Sequence, residues 1–370
     1  MATVNVGMLG YGFMGKAHSN AFRQVRHFFP GKLAPRMRVI CGTHHQKLQQ
    51  AALQYGWEET ETDWRKVVER KDIDIIDICT PNHLHAEQAI AAAAAGKHII
   101  CEKPLANSAS EARQVVQAVE CAGVKHMVMF NYRRVPAIAY ARQFVEAGRL
   151  GRIHRYRGAY LQDWIVDPAL PLSWRMQKQY AGSGALGDIG SHAVDLALYL
   201  NGGIESVAGL LTTFIQERQT ESGPGEVTVD DDAAFLARFR NGSVGVFEAS
   251  RFATGRRNAN TFEIHGRDGS LRFDLERLNE LEWYDRTGSP EDRGFRTIRV
   301  LEKTHPYAGA WWPVGHILGW EHTFVHAVHD FLTCLETGAM PAPGFQDGLA
   351  VQVVLEAVQE SARSGAWRTI

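Results

Sequence analysis

The stretch VNVGMLGYGFMGKAHSNAF, Val4–Phe22, begins as a short apolar run and ends as a helical one. Between them stand Gly10, Gly12 and Gly15, in Gly-x-Gly-x-x-Gly spacing. Glycines so placed let a strand turn sharply into a helix and let a pyrophosphate approach the helix N-terminus. A glycine-rich turn alone says little. Its weight here comes from its place at the head of a strand–helix series.

The next hundred or so residues alternate. MRVICG (37–42), DIDIIDICT (72–80), KHIICEKP (97–104) and KHMVMFNYRR (125–134) read as strands. QKLQQAALQYG, AEQAIAAAAAGK and SASEARQVVQAVECAG, lying between them, read as helices, the last opened by serine caps. This alternation predicts a doubly wound parallel sheet, an α/β dinucleotide-binding domain over residues 1–130. Ligands of such sheets bind beyond the carboxyl ends of the strands. One strand end delivers Thr80, Asn82, His83 and His85; the next delivers Glu102 and Lys103, with Pro104 holding Lys103 extended. The last delivers Asn131, Tyr132, Arg133 and Arg134.

The second strand departs from the usual pattern. NAD-specific folds commonly end it with Asp or Glu, which bonds the adenosine ribose hydroxyls. Here VICGTHHQK puts Gly42 and Thr43 at that point, followed by His44, His45 and Lys47. With no carboxylate to repel a 2′-phosphate, the reading tilts toward NADP over NAD.

At 370 residues the chain exceeds one ordinary core, and two domains are expected. Forty basic residues against 41 acidic ones leave a formal charge of −1, so no basic surplus points to nucleic acid or an anionic membrane. No apolar run reaches the ~20 residues needed to cross a bilayer. MATVNVGMLG enters a strand pattern without a charged and apolar leader. Five cysteines, at 41, 79, 101, 121 and 334, include no Cys-x-x-Cys pair and read as buried thiols of a reducing compartment. A cytoplasmic protein is expected.

Residues 131–370 change character. A helical run, AIAYARQFVEAGRLG, leads to RIHRYRGAYLQDW; later come SVAGLLTTFI, AAFLARFRNGSVGVFEASRF, NTFEIHGRDGSLRFDL, ELEWYD and FRTIRV. Turns such as Asn241-Gly242 and Asp268-Gly269 mark hairpins. An α+β substrate-binding domain with a large, mostly antiparallel sheet is predicted, helices covering one face. The open face suits self-association. Helices near 320–336 and 346–363 close the chain.

Within this half, GALGDIGSHAVDLALYL (184–200) is apolar nearly all round except for Asp188, His192, Asp195 and Tyr199. At helical periodicity those four fall on one stripe. Asp188 suits a first helical turn as a cap, but capping leaves His192 and Asp195 unexplained. Two ligands are too few for a closed zinc site. His322, His326 and His329 read as the polar flank of an amphipathic helix, and no metal is expected. The preferred reading is acid–base chemistry: a histidine one turn from a carboxylate can be poised near neutrality.

Gly10-x-Gly12-x-x-Gly15, CEKP (101–104) and GDIGSH (187–192), in that order, resemble the Gfo/Idh/MocA family across essentially the whole chain. That is the glucose–fructose oxidoreductase and inositol dehydrogenase group. TPNHLHAEQAI, FNYRR, YLQDW, LSWR and GSGALGDIGSH are similar to its anhydrosugar-oxidising branch. The resemblance implies a Rossmann-domain, NAD(P)-dependent dehydrogenase, assembled as a homodimer or homotetramer through the open sheet. Its substrate would be a pyranose, anhydrosugar or cyclitol, with a ring hydroxyl, expected at C3, becoming a ketone by hydride transfer.

The resemblance also implies Lys103, Asp188 and His192 at the reacting carbinol. His192 would be the general base, and Lys103 would bond the same oxygen. Tyr132, Gln162 and Trp174 would contact the sugar. Asn82, Glu102, Asn131 and Arg175 would lie near the nicotinamide, and Gly10, Gly12, Phe13 and Met14 at the pyrophosphate. Thr80 and His85 share the rim; Gly42, Thr43 and His44 would face the ribose. Two other activities stay open: an oxidoreductase that recycles a tightly held cofactor (a glycoside 3-oxidoreductase or transhydrogenase), and a non-catalytic sugar sensor. The presence of all three catalytic residues favours the dehydrogenase.

Overall fold

A computed structural model describes residues 2–370. The chain divides into two compact units: one is formed by the segments up to Asn131 and Gly319–Ala350, the other by Tyr132–Leu318 and Val351–Ile370.

In the first unit, strands β1 (Ala2–Leu9), β2 (Leu33–Cys41), β3 (Glu59–Glu61), β4 (Ile75–Ile78), β5 (His98–Cys101) and β6 (His126–Val128) form a parallel sheet. Their order, β3-β2-β1-β4-β5-β6, is that of a Rossmann fold, with the topological switch between β1 and β4. Helices α1 (Phe13–Phe28), α2 (His45–Tyr55), α3 (Trp64–Glu69), α4 (His85–Ala94) and α5 (Ala109–Ala122) connect the strands. Central strand β4 reads IIDI and is buried throughout, as a strand covered on both faces must be. Ser108 caps α5 by accepting from the Glu111 N–H at 3.1 Å.

Several expected strand boundaries differ, two of them by four residues or more. β2 begins at Leu33, not Met37, because LAPR pairs with the outer half of β1. The expected strand 125–134 stops at Val128, opposite Cys101, where β5 itself ends and the ladder runs out. Asn131–Arg134 form a short 3-10 turn instead.

The second unit is built on strands β7 (Ile153–Leu161), β8 (Ile204–Thr212), β9 (Glu217–Thr220), β10 (Gly223–Glu226), β11 (Asp232–Phe239), β12 (Val244–Ser250), β13 (Ala259–Gly266), β14 (Gly269–Asp274), β15 (Glu280–Asp285), β16 (Phe295–Arg299) and β17 (Arg368–Thr369). Apart from the β9–β10 hairpin they make one sheet, ordered β16-β15-β14-β13-β7-β12-β11-β8-β17. Its neighbours pair antiparallel except β7 with β12, which run parallel. Period-two burial is clean along β11: Ala233, Phe235, Ala237 and Phe239 are buried, while Ala234, Leu236 and Arg238 are exposed. Helices α6 (Pro136–Glu146), α7 (Lys178–Ala181) and α8 (Ser191–Asn201) belong to this unit.

Two helices remain, α9 (His322–Thr337) and α10 (Phe345–Ser364). α9 lies in the first unit, where the Glu336 carboxylate accepts from the Leu33 N–H at 2.8 Å. Its histidines are not a solvated flank. His326 is fully buried and His329 stacks on Phe29 with centroids 4.4 Å apart, because the aromatic end of the first crossover packs there. The cysteines also differ from expectation: Cys41 and Cys101 are buried, but Cys121, near the end of surface helix α5, is exposed. Among the described residues no helix is long and apolar enough to cross a membrane.

Candidate active site

The turn after β1 is shaped by its three glycines in different ways. Gly10 has φ +101°, and a Cβ there would come within 2.5 Å of the Cys79 carbonyl oxygen. A Cβ on Gly15 would overlap the Gly10 carbonyl, whereas one on Gly12 would meet nothing within 4 Å. Gly10 and Gly15 therefore close the turn, and Gly12 leaves an open cradle. No side chain caps α1 and no acid stands in its first turn, so its leading N–H groups and positive end remain for an anion. The residues present fit the pyrophosphate of a dinucleotide. Phe13, 67% exposed, stacks on Trp320 with centroids 5.4 Å apart.

At the end of β2 a Cβ on Gly42 would overlap the Tyr11 ring as it stands. Beyond it Thr43, His44 and His45 are exposed, and α2 carries no acid in its first turn.

The rim of the same sheet is tightly tied. Thr80 donates from Oγ1 to Gln88 Oε1 at 2.7 Å. Fully buried His85 sets Nδ1 at 2.7 Å from the Pro104 carbonyl and Nε2 at 2.9 Å from that of Thr80, joining two strand ends. Asn82 opens a 3-10 turn. Glu102 Oε2 accepts from the backbone N–H of half-buried Lys103 at 3.1 Å. Asn131 donates from Nδ2 to Thr323 Oγ1 at 2.8 Å.

In the second unit the stripe separates into two parts. Residues Leu186–Gly190 form a π-helical turn before α8 proper begins at Ser191. Such wide turns recur at functional sites. Asp188 lies in that turn but does not cap it. The capping carboxylate is Asp230, which accepts from the N–H groups of Gly184 at 2.8 Å and Leu186 at 2.7 Å. Burial pushes the Asp230 pKa up, with those two N–H donors acting against it. Asp188, its side chain 28% exposed, instead lies 3.7 Å from Nη1 of fully buried Arg251. That guanidinium also donates to the Asp230 carbonyl at 3.2 Å.

His192, 6% exposed, packs edge-on against Tyr132 (centroids 4.6 Å) and beside Tyr160 (5.9 Å). Tyr132 Oη lies 2.8 Å from Tyr160 Oη, which donates to Asn258 Oδ1 at 2.7 Å; Gln162 donates to the same oxygen at 2.8 Å. Trp174 carries the Arg175 guanidinium 4.4 Å above its ring. Lower on α8 the roles are structural. Arg133 grips Asp195 in a buried fork at 2.7–3.1 Å and lies 4.8 Å over the Tyr199 ring.

A family model described as "Oxidoreductase family, NAD-binding Rossmann fold" matches residues 4–130, and one described as "GFO/IDH/MocA C-terminal domain" matches residues 138–272. The chain belongs to the Gfo/Idh/MocA family of oxidoreductases. It is 45% identical to levoglucosan dehydrogenase of Pseudarthrobacter phenanthrenivorans, the match covering 99% of this chain and 98% of that one. A solved levoglucosan dehydrogenase complex with NADH and levoglucosan has a TM-score of 0.97 at 45% identity, covering 100% of this chain and 99% of that chain. An oxidoreductase domain protein from Kribbella flavida has a TM-score of 0.98 at 52% identity, each chain covered over 100%.

Sequence reasoning missed several residues that shape these two regions, each within its own unit. Asp230, Arg251 and Asn258 lie on strand ends and loops far along the chain, and nothing in their local sequence marks them. His18 and Asp77, buried behind the rim, escaped it as well. A signal for them exists: one histidine one turn past the third glycine, and one aspartate in a strand otherwise made of isoleucine.

Proposed function

We propose that the chain is an NAD-dependent dehydrogenase that oxidises a ring hydroxyl of an anhydrosugar, pyranose or cyclitol to a ketone, at C3. The observation that carries this reading is the wall formed by Asp188 and His192. A partly exposed carboxylate held beside a buried arginine, and an imidazole enclosed by two tyrosines, offer hydrogen-bonding groups next to the flat faces that sugars prefer. The likeness to levoglucosan dehydrogenase supports the substrate class.

Bound NAD supplies the hydride acceptor. His192 takes the hydroxyl proton as general base, and Lys103 donates to the same oxygen as it becomes an alkoxide. Asp188 orients the sugar or offsets the imidazolium charge. Tyr132 and Trp174 cover the C–H face, and Gln162 bonds an outlying hydroxyl. Gly10, Gly12, Phe13 and Met14 would hold the pyrophosphate; Thr80, Asn82, Glu102, Asn131 and Arg175 would serve the nicotinamide end, with His85 holding Thr80 in place. Gly42, Thr43 and His44 would face the ribose. We favour NAD over NADP, because the chain resembles a levoglucosan dehydrogenase solved with NADH.

Self-association through the open sheet face completes the proposal. Leu210 (65% exposed), Leu236 (49%) and Val244 (46%) stand on it.

The test is absorbance at 340 nm with purified protein, NAD+ or NADP+, and a panel of levoglucosan, glucose, inositols and simple glycosides. Reduction of NAD+ by an anhydrosugar or cyclitol is expected. A flat response from folded protein refutes the dehydrogenase; cofactor that co-purifies without turnover points to the recycling enzyme.

A further inference from the structure

The most heavily buried cluster of titratable groups outside the proposed chemistry lies behind Lys103. His18, on α1, is fully buried and sets Nδ1 2.9 Å from both carboxylate oxygens of Asp77 on β4, itself fully buried. Nε2 of the same ring lies 3.1 Å from Glu102 Oε1. The other oxygen of Glu102 accepts from the Lys103 N–H at 3.1 Å. A single path of hydrogen bonds thus runs Asp77–His18–Glu102–Lys103. With carboxylates on both ring nitrogens, only the doubly protonated imidazole can donate to each.

We propose that His18 is a positioning residue for Lys103: held by Asp77, it fixes the Glu102 carboxylate, which in turn fixes the backbone from which the Lys103 side chain departs. The proposal rests on the reading of Lys103 as the group that bonds the reacting oxygen. Burying two carboxylates and an imidazole carries a desolvation penalty that a well-packed apolar cluster would avoid. The surroundings could have supplied such packing: Ile75, Ile76 and Ile78 are all fully buried, and Phe324 lies 5.4 Å from the imidazole. The ionic cluster does what packing cannot: it sets one orientation for Glu102. Burial alone would push the His18 pKa down, but the charge and hydrogen bonds of Asp77, helped by Cys79, carry it well above its usual value. The titratable groups bonded to or beside the ring are Asp77, Cys79 and Glu102, and from α9 the ring of Phe324 packs against it.

The test is a double-mutant cycle in the full-length enzyme with NAD+ and levoglucosan. His18→Gln keeps two N–H donors but on a single nitrogen, so it cannot reach Asp77 and Glu102 from opposite sides as Nδ1 and Nε2 do. It should lower kcat by about 10- to 100-fold, since small misplacements of a reacting group have effects of that order. The KM for the sugar should stay near that of the parent, and NADH binding should survive. In a Lys103→Met background the same change should alter kcat by less than about twofold, because coupled residues are not additive.

An equal loss in both backgrounds overturns the proposal, since His18 would then act elsewhere. If Lys103→Met alone leaves kcat intact, the role of Lys103 itself is wrong and the proposal falls with it. Should His18→Gln not fold, Asp77→Asn replaces it: the amide oxygen still accepts from Nδ1 without the charge, and a smaller loss, dependent on Lys103, is expected. No loss in Asp77→Asn overturns the relay. The Nδ1, carboxylate and Sγ atoms of His18, Asp77 and Cys79 lie within 4.8 Å of one another. One transition-metal ion per chain in the purified enzyme, removed by Cys79→Ser, would also overturn it.

Discussion

Asp195→Asn should weaken the protein without touching its chemistry. Asp195 is 1% exposed and Arg133 9%, joined by a fork whose contacts run from 2.7 to 3.1 Å. The amide keeps the shape but removes the charge and one of the two oxygens, so the buried Arg133 guanidinium loses the Asp195 carboxylate. Breaking such a pair destabilises by about 3–5 kcal/mol. Arg133 retains the Tyr199 ring 4.8 Å away and a little water, which favours the lower figure. At about 2–4 °C per kcal/mol for a unit of this size, about 3 kcal/mol lowers Tm by about 6–12 °C. Thermal unfolding followed by circular dichroism measures that shift. The kcat of the folded protein at 20 °C, read at 340 nm, should stay within about twofold of the parent, as for a site away from the reacting groups. His192→Asn should show the reverse, an unchanged Tm with kcat down by about two to four decades. An Asp195→Asn protein with the parental Tm, or one that loses turnover as His192→Asn does, would refute the division of the stripe into a chemical and a structural half.

Three further outcomes are expected. Gly12→Ala should fold normally but bind NADH more weakly by fluorescence titration, because its Cβ has space in the protein and collides only with a ligand; Gly15→Ala should lower Tm, since its Cβ overlaps the Gly10 carbonyl. Asp230→Ala removes two charged hydrogen bonds from the turn that carries Asp188, each worth about 1.5–3 kcal/mol. It should lower both Tm and kcat; an unchanged kcat would mean that the turn does not set Asp188. Cys121 should be the fast-reacting thiol toward a chromogenic disulfide at pH 8, the fast phase vanishing in Cys121→Ser. Burial pushes Cys41 and Cys79 up to about 12 and Cys101 well above its usual value, so these three should react slowly.

The local rules are set by neighbours in the chain. Glycine spacing and strand–helix alternation specify the Rossmann sheet, because turn geometry and burial on both faces of a parallel strand are written in adjacent residues. Alternation along runs such as AAFLARF specifies the half-buried antiparallel sheet in the same way. Asp188 and His192 stand out in the sequence as polar residues on a helix that is otherwise apolar nearly all round. The tertiary structure decided everything that depends on residues distant in the chain. It gave the capping role to Asp230 rather than Asp188, 42 residues earlier by number (230 − 188), and it paired Asp195 with Arg133. It placed Tyr11 against Gly42 and brought His18, Asp77 and Glu102 onto one hydrogen-bonded path. A buried charge takes its meaning from its partner, and that partner is fixed by packing, not by spacing along the chain.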